Sequence, residues 1–488
     1  MTAAGFRVEF VRIPSGEISL AAITLTPAGD GPFPLLVMPS SWAVDDLEYV
    51  GAAAKLVHSS GYAVVSYTSR GFYDSGGEID VAGPDTVADV SRVIDWACAT
   101  LPVEPSRVGA VGISYAAGTS LLAAAADPRI GAVAAMSTWT DLVASLYPNR
   151  TSSRAAATLL LDSAAVTGRP GPVLQQLRAD YAAGNDEATL PILRERSPIN
   201  RIDALNARAV PVLLANGWQD GFFPPSQVVR FFEQLTGPRR LLLAPGEHAT
   251  AELGGLIGLP NDPWSAVRTW MDEHLRGIAS DQAQVQLKPA NDDGWLTFPD
   301  WPPVPASRLH LTADRLVETE PGTWSHRIEA GLPSLADSGL PLVSGAFLGY
   351  LKVPVEVPLP LVSRSVAGVW TSGRQTGHRL LVGAPRVHLT VTPSTPQTTL
   401  YAYLYAVDDL DLGALITTKP YSLVGARPGE AVPVEWDLEA IAWTVPPGHR
   451  LALVVDTVDL RYDSRATIGS TVSFAGPSWL DLPLVPAL

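Results

Sequence analysis

The amino-acid sequence predicts an α/β domain with a doubly wound parallel sheet, a helical cap inserted in that domain, and a β-sandwich at the C-terminal end. Short apolar runs alternate with stretches of helical spacing up to about residue 140, which is typical of a doubly wound sheet. Strand patterns are absent over residues 141–205. After residue 300 they return as short alternating runs without a convincing helix, as in a sandwich.

The first part of the α/β domain consists of apolar strands separated by amphipathic helices. The predicted strands are Phe33–Met38, Tyr62–Tyr67, Arg107–Ile113 and Gly131–Met136. The predicted helices between them are Asp46–Ser59, Asp85–Leu101 and Ser114–Ala126. Continuous apolar strands indicate a parallel sheet covered on both faces, and the alternation indicates right-handed crossovers.

The middle of the chain is rich in Ala, Leu and Arg, and Pro148, Pro191 and the stretch Gly168–Pro172 interrupt it. We therefore expect several short helices that form a cap. The α/β pattern then resumes with the strands Pro211–Gly217 and Arg240–Ala244 and the helices Pro225–Leu235 and Asp262–Arg276.

The last part of the chain begins after a stiff connector that contains Pro302, Pro303 and Pro305. The predicted strands there are Arg308–Thr312, Thr323–Ile328, Val387–Thr392, Thr399–Ala406, Arg450–Thr457 and Thr471–Phe474. Short strands separated by Gly, Pro and Asp turns indicate a jelly-roll sandwich. The predicted domains are an α/β domain (1–140 and 206–285), a cap (141–205) and a jelly roll (286–488).

Charge and composition exclude several classes of protein. The 488 residues include 34 Lys and Arg against 49 Asp and Glu, a formal net charge of −15. Nucleic acid and anionic membranes are therefore unexpected partners. A single cysteine, Cys98, excludes an internal disulfide framework. No signal-peptide pattern or membrane-spanning apolar run is visible, so a cytoplasmic protein is expected.

The pentapeptide Gly112-Ile113-Ser114-Tyr115-Ala116 lies where a predicted strand meets a predicted helix. This is the setting of a nucleophile elbow, whose sharp turn lifts a serine hydroxyl above the edge of the sheet. Ala116 stands where the usual pattern has Gly, and it keeps the turn uncrowded. We expect Ser114 to be a nucleophile rather than a helix-capping serine.

A serine nucleophile needs a base, and His248 is the best-placed histidine. It follows the predicted strand Arg240–Ala244, so it belongs to the same edge of the sheet as Ser114. Asp220 follows the preceding strand, and a carboxylate there would orient the imidazole. Asp203 is the alternative, but it comes before that strand.

An oxyanion formed at Ser114 needs hydrogen-bond donors. The Tyr115 N–H, at the start of a helix, is one expected donor. The second should come from the loop after Phe33–Met38, where backbone N–H groups, the hydroxyls of Ser40 or Ser41, and the Trp42 indole are all available. Among these we expect the Trp42 indole to act.

Aromatic residues near the same edge are candidates for a substrate pocket. Trp139, Trp218, Phe222 and Phe223 are expected to line an acyl or leaving-group pocket, although core packing explains each of them nearly as well. Glu247, beside His248, is expected to be an exposed loop acid. No metal-ligand cluster or phosphate-binding glycine loop is visible, so we expect no metal and no cofactor.

Four segments together resemble the cocaine esterase / Xaa-Pro dipeptidyl-peptidase family of serine hydrolases. They are Ser69–Glu78, Gly112–Ala116, Gly217–Phe222 and, in the predicted sandwich, Val387–Val407. The resemblance implies an α/β-hydrolase fold with a C-terminal jelly roll, and a triad of Ser114, Asp220 and His248.

The sequence also departs from this family. The family often takes its second oxyanion donor from a Tyr hydroxyl shortly after the position of Pro39, where this chain has Ser40, Ser41 and Trp42. Arg70 and Glu78 are expected to form an ion pair that holds the loop near the elbow.

The sequence therefore predicts a serine hydrolase that cleaves carboxylic esters, or amides, of small molecules through an acyl-enzyme. Two alternatives stay open. One is an Xaa-Pro dipeptidyl-peptidase or related aminopeptidase or acylase, which needs buried acids to bind the substrate ammonium group. The other is a binding protein whose sandwich recognises carbohydrate or a partner. Sandwich faces and cap helices could bury apolar surface between subunits, so a homo-oligomer is a further expectation.

Overall fold

A mostly parallel sheet of 11 strands forms the centre of the α/β domain. The computed structural model describes residues 2–3 and 5–486. The strands are β1 (Thr2–Ala3), β2 (Phe6–Ser15), β3 (Ile18–Pro27), β4 (Phe33–Pro39), β5 (Ala63–Tyr67), β6 (Val103–Ile113), β7 (Ile130–Met136), β8 (Val212–Gly217), β9 (Arg239–Ala244), β10 (Val285–Leu287) and β11 (Leu296–Phe298). Their order is β1-β2-β3-β5-β4-β6-β7-β8-β9-β10-β11. The seven strands from β4 to β10 are parallel to one another.

Helices cover both faces of this sheet. The α-helices between residues 50 and 276 are α1 (Val50–Ser60), α2 (Pro84–Thr100), α3 (Tyr115–Ala126), α4 (Leu142–Leu146), α5 (Arg154–Thr167), α6 (Pro172–Ala182), α7 (Asp186–Glu195), α8 (Ile202–Ala207), α9 (Pro225–Gln234), α10 (Leu253–Leu256) and α11 (Asp262–Arg276). Helices α1 and α11 bury apolar side chains against one face, and α2, α3 and α9 do so against the other. The predicted doubly wound fold class is confirmed.

The helical cap lies between β7 and β8. It contains α4 to α8 and the 3-10 turns Pro148–Arg150 and Pro198–Arg201. Buried side chains of α5, α6 and α7 pack with Tyr115 and Trp139 in a cluster separate from the two clusters that flank the sheet. The cap therefore covers the carboxyl edge at which β6 ends.

The C-terminal β domain consists of antiparallel strands and one described helix, α12 (Ser344–Leu351). The strands are β12 (Ser307–Leu311), β13 (Leu316–Val317), β14 (Ser325–Glu329), β15 (Glu356–Pro358), β16 (Gly368–Thr371), β17 (Arg379–Gly383), β18 (Arg386–Pro393), β19 (Gln397–Val407), β20 (Leu412–Val424), β21 (Val432–Asp437), β22 (Ile441–Val445), β23 (Arg450–Asp456), β24 (Thr471–Leu482) and β25 (Leu484–Pro486). They form sheets of six, five and three strands. This is the all-β architecture that the sequence predicts.

Three features differ from the sequence-based expectation. Strands β2 and β3 extend the sheet at its amino-terminal side, where no strand was predicted. Strand β10 pairs in parallel with β9, so the sheet continues past residue 285. Helix α12 lies in a region expected to contain no helix, because SGAFLGYL has neither helical nor strand alternation. We propose that the domain boundary lies between β11 and β12.

Arg70 does not pair with Glu78, which is exposed, so that prediction is wrong. Its guanidinium instead contacts the buried Asp89 at 2.7 Å and Asp85 at 2.9 Å, both on α2. A charge this deeply buried needs a buried partner, and Asp89 supplies it. In residues 2–3 and 5–486 no helix is long and apolar enough to cross a membrane, and no group of three His, Cys, Asp or Glu side chains could hold a metal ion.

Candidate active site

Ser114 occupies a strained turn between β6 and α3. Its backbone has φ 56° and ψ −120°, a conformation that non-glycine residues rarely adopt. The close packing requires glycine at position 112, because a Cβ there would lie 2.5 Å from the backbone of Ala116. A Cβ at Gly118 would lie 2.4 Å from the Trp139 ring. The turn therefore presents the Ser114 hydroxyl at the carboxyl edge of the sheet.

The structure brings Ser114, His248 and Asp220 into one hydrogen-bonded chain. His248 lies in the histidine loop (residues 245–252, after β9), and Asp220 lies in the acid loop (residues 218–224, after β8). His248 Nδ1 is 2.9 Å from Asp220 Oδ2, and His248 Nε2 is 2.8 Å from Ser114 Oγ. With its proton on Nδ1, the imidazole accepts the Ser114 hydroxyl hydrogen at Nε2.

The Asp220 carboxylate is fixed by backbone donors. Its Oδ1 accepts the N–H groups of Phe222 at 2.9 Å and Phe223 at 2.8 Å. Its side chain is fully buried, while that of His248 keeps 11% of its surface exposed. The Phe222 and Phe223 rings pack against the imidazole with centroid distances of 4.8 and 5.2 Å. The imidazole is thereby held in one orientation.

Carboxylates around His248 set its proton affinity. Burial by itself lowers the pKa of His248, but the charges of Asp220, Glu252 and Glu247 raise it, and the net pKa lies above the usual 6.5. Of these three, only Asp220 touches the imidazole. The protonated form of His248 is therefore stabilised from several sides.

Glu252 is a buried carboxyl group that sequence reasoning missed. Its Oε1 accepts the Ser137 hydroxyl at 2.9 Å, and Ser137 Oγ in turn accepts the Ala249 N–H at 3.0 Å. Burial raises the pKa of Glu252 to about 7. Nothing in the sequence distinguishes this glutamate from an exposed loop acid, since its partner Ser137 follows β7, far away in the chain.

One of the expected oxyanion donors, the Trp42 indole, is engaged elsewhere in the structure. The Trp42 indole N–H donates to the Leu160 carbonyl in the cap at 2.9 Å, so the prediction that it stabilises the oxyanion is replaced by a structural role. The hydroxyls of Ser40 and Ser41 are also engaged. In the part of the chain that the structure describes, the backbone N–H groups of Trp42 and Tyr115 have no acceptor. Both N–H groups are therefore free to donate to a substrate oxygen.

The loop that carries Trp42 is tied to the elbow. Ser41 N–H donates to the Glu48 carboxylate at 2.6 Å, and Ser41 Oγ lies 2.5 Å from the same carboxylate and 2.9 Å from the Ile113 carbonyl oxygen. Ile113 N–H donates to the Tyr49 hydroxyl at 3.1 Å. Burial raises the pKa of Glu48 to about 7. This network fixes the Ser41–Trp42 peptide relative to Ser114.

A cavity opens between Ser114 and the cap. Two of the predicted pocket residues, Trp139 and Phe223, line this cavity. Trp42 lines it as well. Trp218 does not, because its indole points away and donates to the Lys288 carbonyl at 2.6 Å, and it lines a second cavity. Phe222 also lies outside this cavity and packs on His248. The cap leucines at 142, 146, 160, 161, 174, 177 and 193 make the cavity apolar.

A serine at a strained strand–helix elbow, followed along the chain by an acid and a histidine at the same sheet edge, defines the serine hydrolases of the α/β-hydrolase fold. Two family models match the chain and identify its family. X-Pro dipeptidyl-peptidase (S15 family) matches residues 15–250, and X-Pro dipeptidyl-peptidase C-terminal non-catalytic domain matches residues 277–471. The chain belongs to this family of hydrolases, which confirms the resemblance drawn from the sequence motifs.

Individual relatives agree with this assignment. Cocaine esterase of Rhodococcus sp. (strain MB1 Bresler) is 25% identical over 359 residues, which cover 60% of this chain and 59% of that protein. The match thus spans less than two thirds of the relative's length.

Two of the solved structures that share the fold match along nearly the whole chain. They are an aminopeptidase from a marine sediment Thaumarchaeota archaeon (TM-score 0.78, 15% identity, 100% of this chain and 98% of that chain) and an α-amino acid ester hydrolase (TM-score 0.75, 16% identity, 99% and 98%).

Proposed function

We propose that the chain hydrolyses carboxylic esters through an acyl-enzyme formed on Ser114, with His248 as general base and Asp220 orienting it. One observation carries this proposal. A hydrogen-bonded chain runs from Asp220 through His248 to Ser114, with heavy-atom distances of 2.9 and 2.8 Å. Both distances are short enough for proton transfer to be coupled to attack. The relative named cocaine esterase supports an ester as substrate.

The reaction follows from these positions. His248 Nε2 takes the Ser114 hydroxyl proton as Oγ attacks the acyl carbon, and the Asp220 carboxylate stabilises the imidazolium. The imidazolium then gives its proton to the departing alkoxide, which leaves as an alcohol. In the second half, His248 deprotonates a water molecule that attacks the acyl-enzyme. Ser114 recovers its proton as the carboxylic acid leaves.

The negative charge on the acyl oxygen is received by backbone N–H groups. Those of Tyr115, at the first turn of α3, and of Trp42 are the donors in this proposal. Each such donor contributes about 3–4 kcal/mol to transition-state stabilisation in related chemistry. The partial positive charge at the N-terminus of α3 acts in the same direction.

The cavity under the cap supports a substrate with an apolar acyl group. Its walls are leucine and aromatic side chains, among them Leu142, Leu160, Trp139 and Phe223. Burying an aliphatic or aryl acyl group there contributes binding free energy of roughly 25 cal/mol per Å² of apolar surface. Esters with a bulky apolar acyl group should therefore react faster than acetate esters.

An amine-bearing substrate, as in an aminopeptidase, is the second candidate, and one observation favours it. Asp186 lines the same cavity as Ser114, and its Oδ1 is buried without a hydrogen-bond partner among the described residues. A carboxylate in that position could accept hydrogen bonds from a substrate ammonium group. The aminopeptidase of similar fold fits this alternative.

Labelling with a fluorophosphonate, followed by peptide mapping, tests the proposed nucleophile. We expect modification of Ser114 alone, and Ser114→Ala should abolish labelling and lower ester turnover by about 10⁴-fold or more. Ser120→Ala is the matched control, since Ser120 lies in α3, which directly follows Ser114, and its hydroxyl has no partner among the described residues. Labelling elsewhere, or full turnover by Ser114→Ala, would contradict the proposal.

A substrate series separates the two candidate functions. p-Nitrophenyl acetate, butyrate and octanoate report the acyl preference, and Gly-Pro-p-nitroanilide reports peptidase activity. Rising kcat/KM with acyl length supports the apolar esterase. Preferential turnover of the anilide, lost in Asp186→Asn, supports the peptidase.

The domain limits, a cytoplasmic location and a homo-oligomer stay predictions.

A further inference from the structure

Glu247, the residue before His248, is completely buried rather than exposed as the sequence suggested. Its Oε1 accepts the N–H of Gly221, the residue after Asp220. Its Oε2 lies 3.4 Å from Nη2 of Arg461, which belongs to the C-terminal β domain. One carboxylate therefore joins the histidine loop, the acid loop and a residue more than 200 positions away in the chain.

Arg461 is held in place for this contact. It lies between β23 and β24, and its side chain is only 12% exposed. Its Nε donates to the Gly339 carbonyl at 2.9 Å, and its own N–H donates to Asp459 Oδ1 at 2.7 Å. The guanidinium packs so closely that a Cβ at Gly221 would lie 2.8 Å from Nη1. A buried guanidinium bonded on several sides is a rigid support.

Helix α12 of the C-terminal β domain presses on the same two loops. A Cβ at Gly345 would lie 2.7 Å from Gln219 Cβ in the acid loop and 2.9 Å from Glu247 Cβ in the histidine loop. A Cβ at Gly349, one turn on, would lie 3.1 Å from Gly246 Cα. The Tyr350 hydroxyl donates to the Thr250 carbonyl at the end of the histidine loop.

We propose that the C-terminal β domain positions the catalytic groups: Arg461, through Glu247, and α12 hold the acid and histidine loops at the spacing that the proposed hydrolysis requires. Arg461 and Glu247 are positioning residues, since neither touches the reacting atoms. The inference rests on the proposed function of Ser114, His248 and Asp220. A displacement of about 1 Å in a catalytic constellation can lower its rate about 100-fold, so such support acts on turnover.

Variants of Arg461 test the support directly. Arg461→Met removes the charge but keeps a long side chain, and it should lower kcat for a p-nitrophenyl ester about 10- to 100-fold while KM changes little. Arg461→Lys, which keeps the charge but loses the planar fork, should fall between Arg461→Met and the unaltered protein. Arg374→Ala is the matched control, because Arg374 is also in the C-terminal β domain but pairs with the exposed Asp409.

Glu247→Gln removes the charge and keeps an oxygen that can accept the Gly221 N–H. Groups facing His248 are the carboxylates of Asp220, Glu252 and Glu247, so losing one negative charge lowers the pKa of His248. The acid limb of kcat/KM should therefore move to lower pH. The double variant Arg461→Met/Glu247→Gln should recover part of the kcat lost in Arg461→Met, because it removes the unpaired buried charge.

Titration with a fluorophosphonate counts the folded, reactive sites and corrects kcat for any loss of folded protein. Arg461→Met with unaltered kcat per labelled site, or Glu247→Gln with an unaltered acid limb, would overturn the inference. If Arg461→Met does not fold, the Glu247→Gln pH profile and Arg461→Lys decide. Failure of the proposed function is distinguishable, since the unaltered protein would then show no labelling at Ser114.

Discussion

At the scale of single residues, the acid groups around His248 decide when the imidazole can act as a base. Asp220 contacts it directly, and the buried Glu252 and Glu247 add negative charge close by. These charges outweigh the effect of burial, so the pKa of His248 is raised. General-base catalysis needs the neutral imidazole, and a raised pKa keeps the inactive protonated form present to higher pH.

The pH dependence of ester hydrolysis follows from this. The acid limb of kcat/KM should have its midpoint above pH 6.5, the usual pKa of histidine. Glu252→Gln should move the limb to lower pH, because an ionised Glu252 favours the imidazolium. Initial rates between pH 5 and 9 measure both effects, with Glu17→Gln, an exposed glutamate, as the control. A limb that moves upward in Glu252→Gln would contradict the assignment.

Glu48 lies at the other side of the site, where it contacts the loop that carries Trp42. It accepts the Ser41 N–H at 2.6 Å and so fixes the peptide that carries the Trp42 N–H. Glu48→Ala should lower kcat about 10- to 100-fold with little change in KM. The reason is that a misaligned Trp42 N–H weakens a hydrogen bond that is made only in the transition state. Steady-state kinetics beside Glu17→Ala check this. An unchanged kcat would exclude the Trp42 amide as a donor.

The sequence was sufficient to predict that Ser114, Asp220 and His248 lie together, because successive parallel strands deliver their following loops to one edge; their catalytic roles stay proposals. It was not sufficient for Glu252, Glu48 or the pairing of Glu247. The role of each of these acids depends on its contacts with residues that are distant in the chain. Residue type alone does not predict such contacts. The Trp42 indole was mispredicted for the same reason, since its acceptor belongs to the cap.

At the scale of secondary-structure elements, the turn between β6 and α3 leaves no room for a side chain at position 112. A Cβ at position 112 would lie 2.5 Å from the Ala116 backbone, and helix backbone cannot yield as a flexible side chain can. Gly112→Ala should therefore lower the free energy of unfolding by about 1–3 kcal/mol and displace Ser114. Urea unfolding measures it. Gly131→Ala on β7, whose Cβ would meet its nearest atom at 3.5 Å, should change little.

The strands that the sequence predicted well are buried on both faces. Strands β4, β5, β8 and β9 are continuous apolar runs and were found within a few residues of their ends. Strand β2 was missed because it is half exposed, with charged residues along it. Helix α12 was missed because it contains glycines, which are poor helix formers. These glycines allow close packing on the acid and histidine loops, and a local sequence pattern does not indicate such packing.

At the scale of the whole molecule, the C-terminal β domain contacts both other parts of the chain. The Ala155 N–H of the cap donates to the Arg461 carbonyl at 3.1 Å, and the Asp463 N–H donates to the Ser152 carbonyl at 3.0 Å. The Ala440 N–H donates to Ser226 Oγ of the α/β domain at 2.8 Å. These contacts join the C-terminal β domain to both the cap and the α/β domain, so it is expected to unfold together with them rather than as an independent unit.

Chemical denaturation distinguishes cooperative from independent unfolding. Tryptophan fluorescence and ester hydrolysis should be lost in one coincident transition. Thr151→Val, which breaks the buried Thr151–Ser422 contact of 2.9 Å between cap and C-terminal β domain, should shift that transition by about 1–3 kcal/mol without splitting it. Thr323→Val, at an exposed site, should shift nothing. Loss of activity at a urea concentration where fluorescence is still native would instead mean that the catalytic loops separate from their support before either domain unfolds.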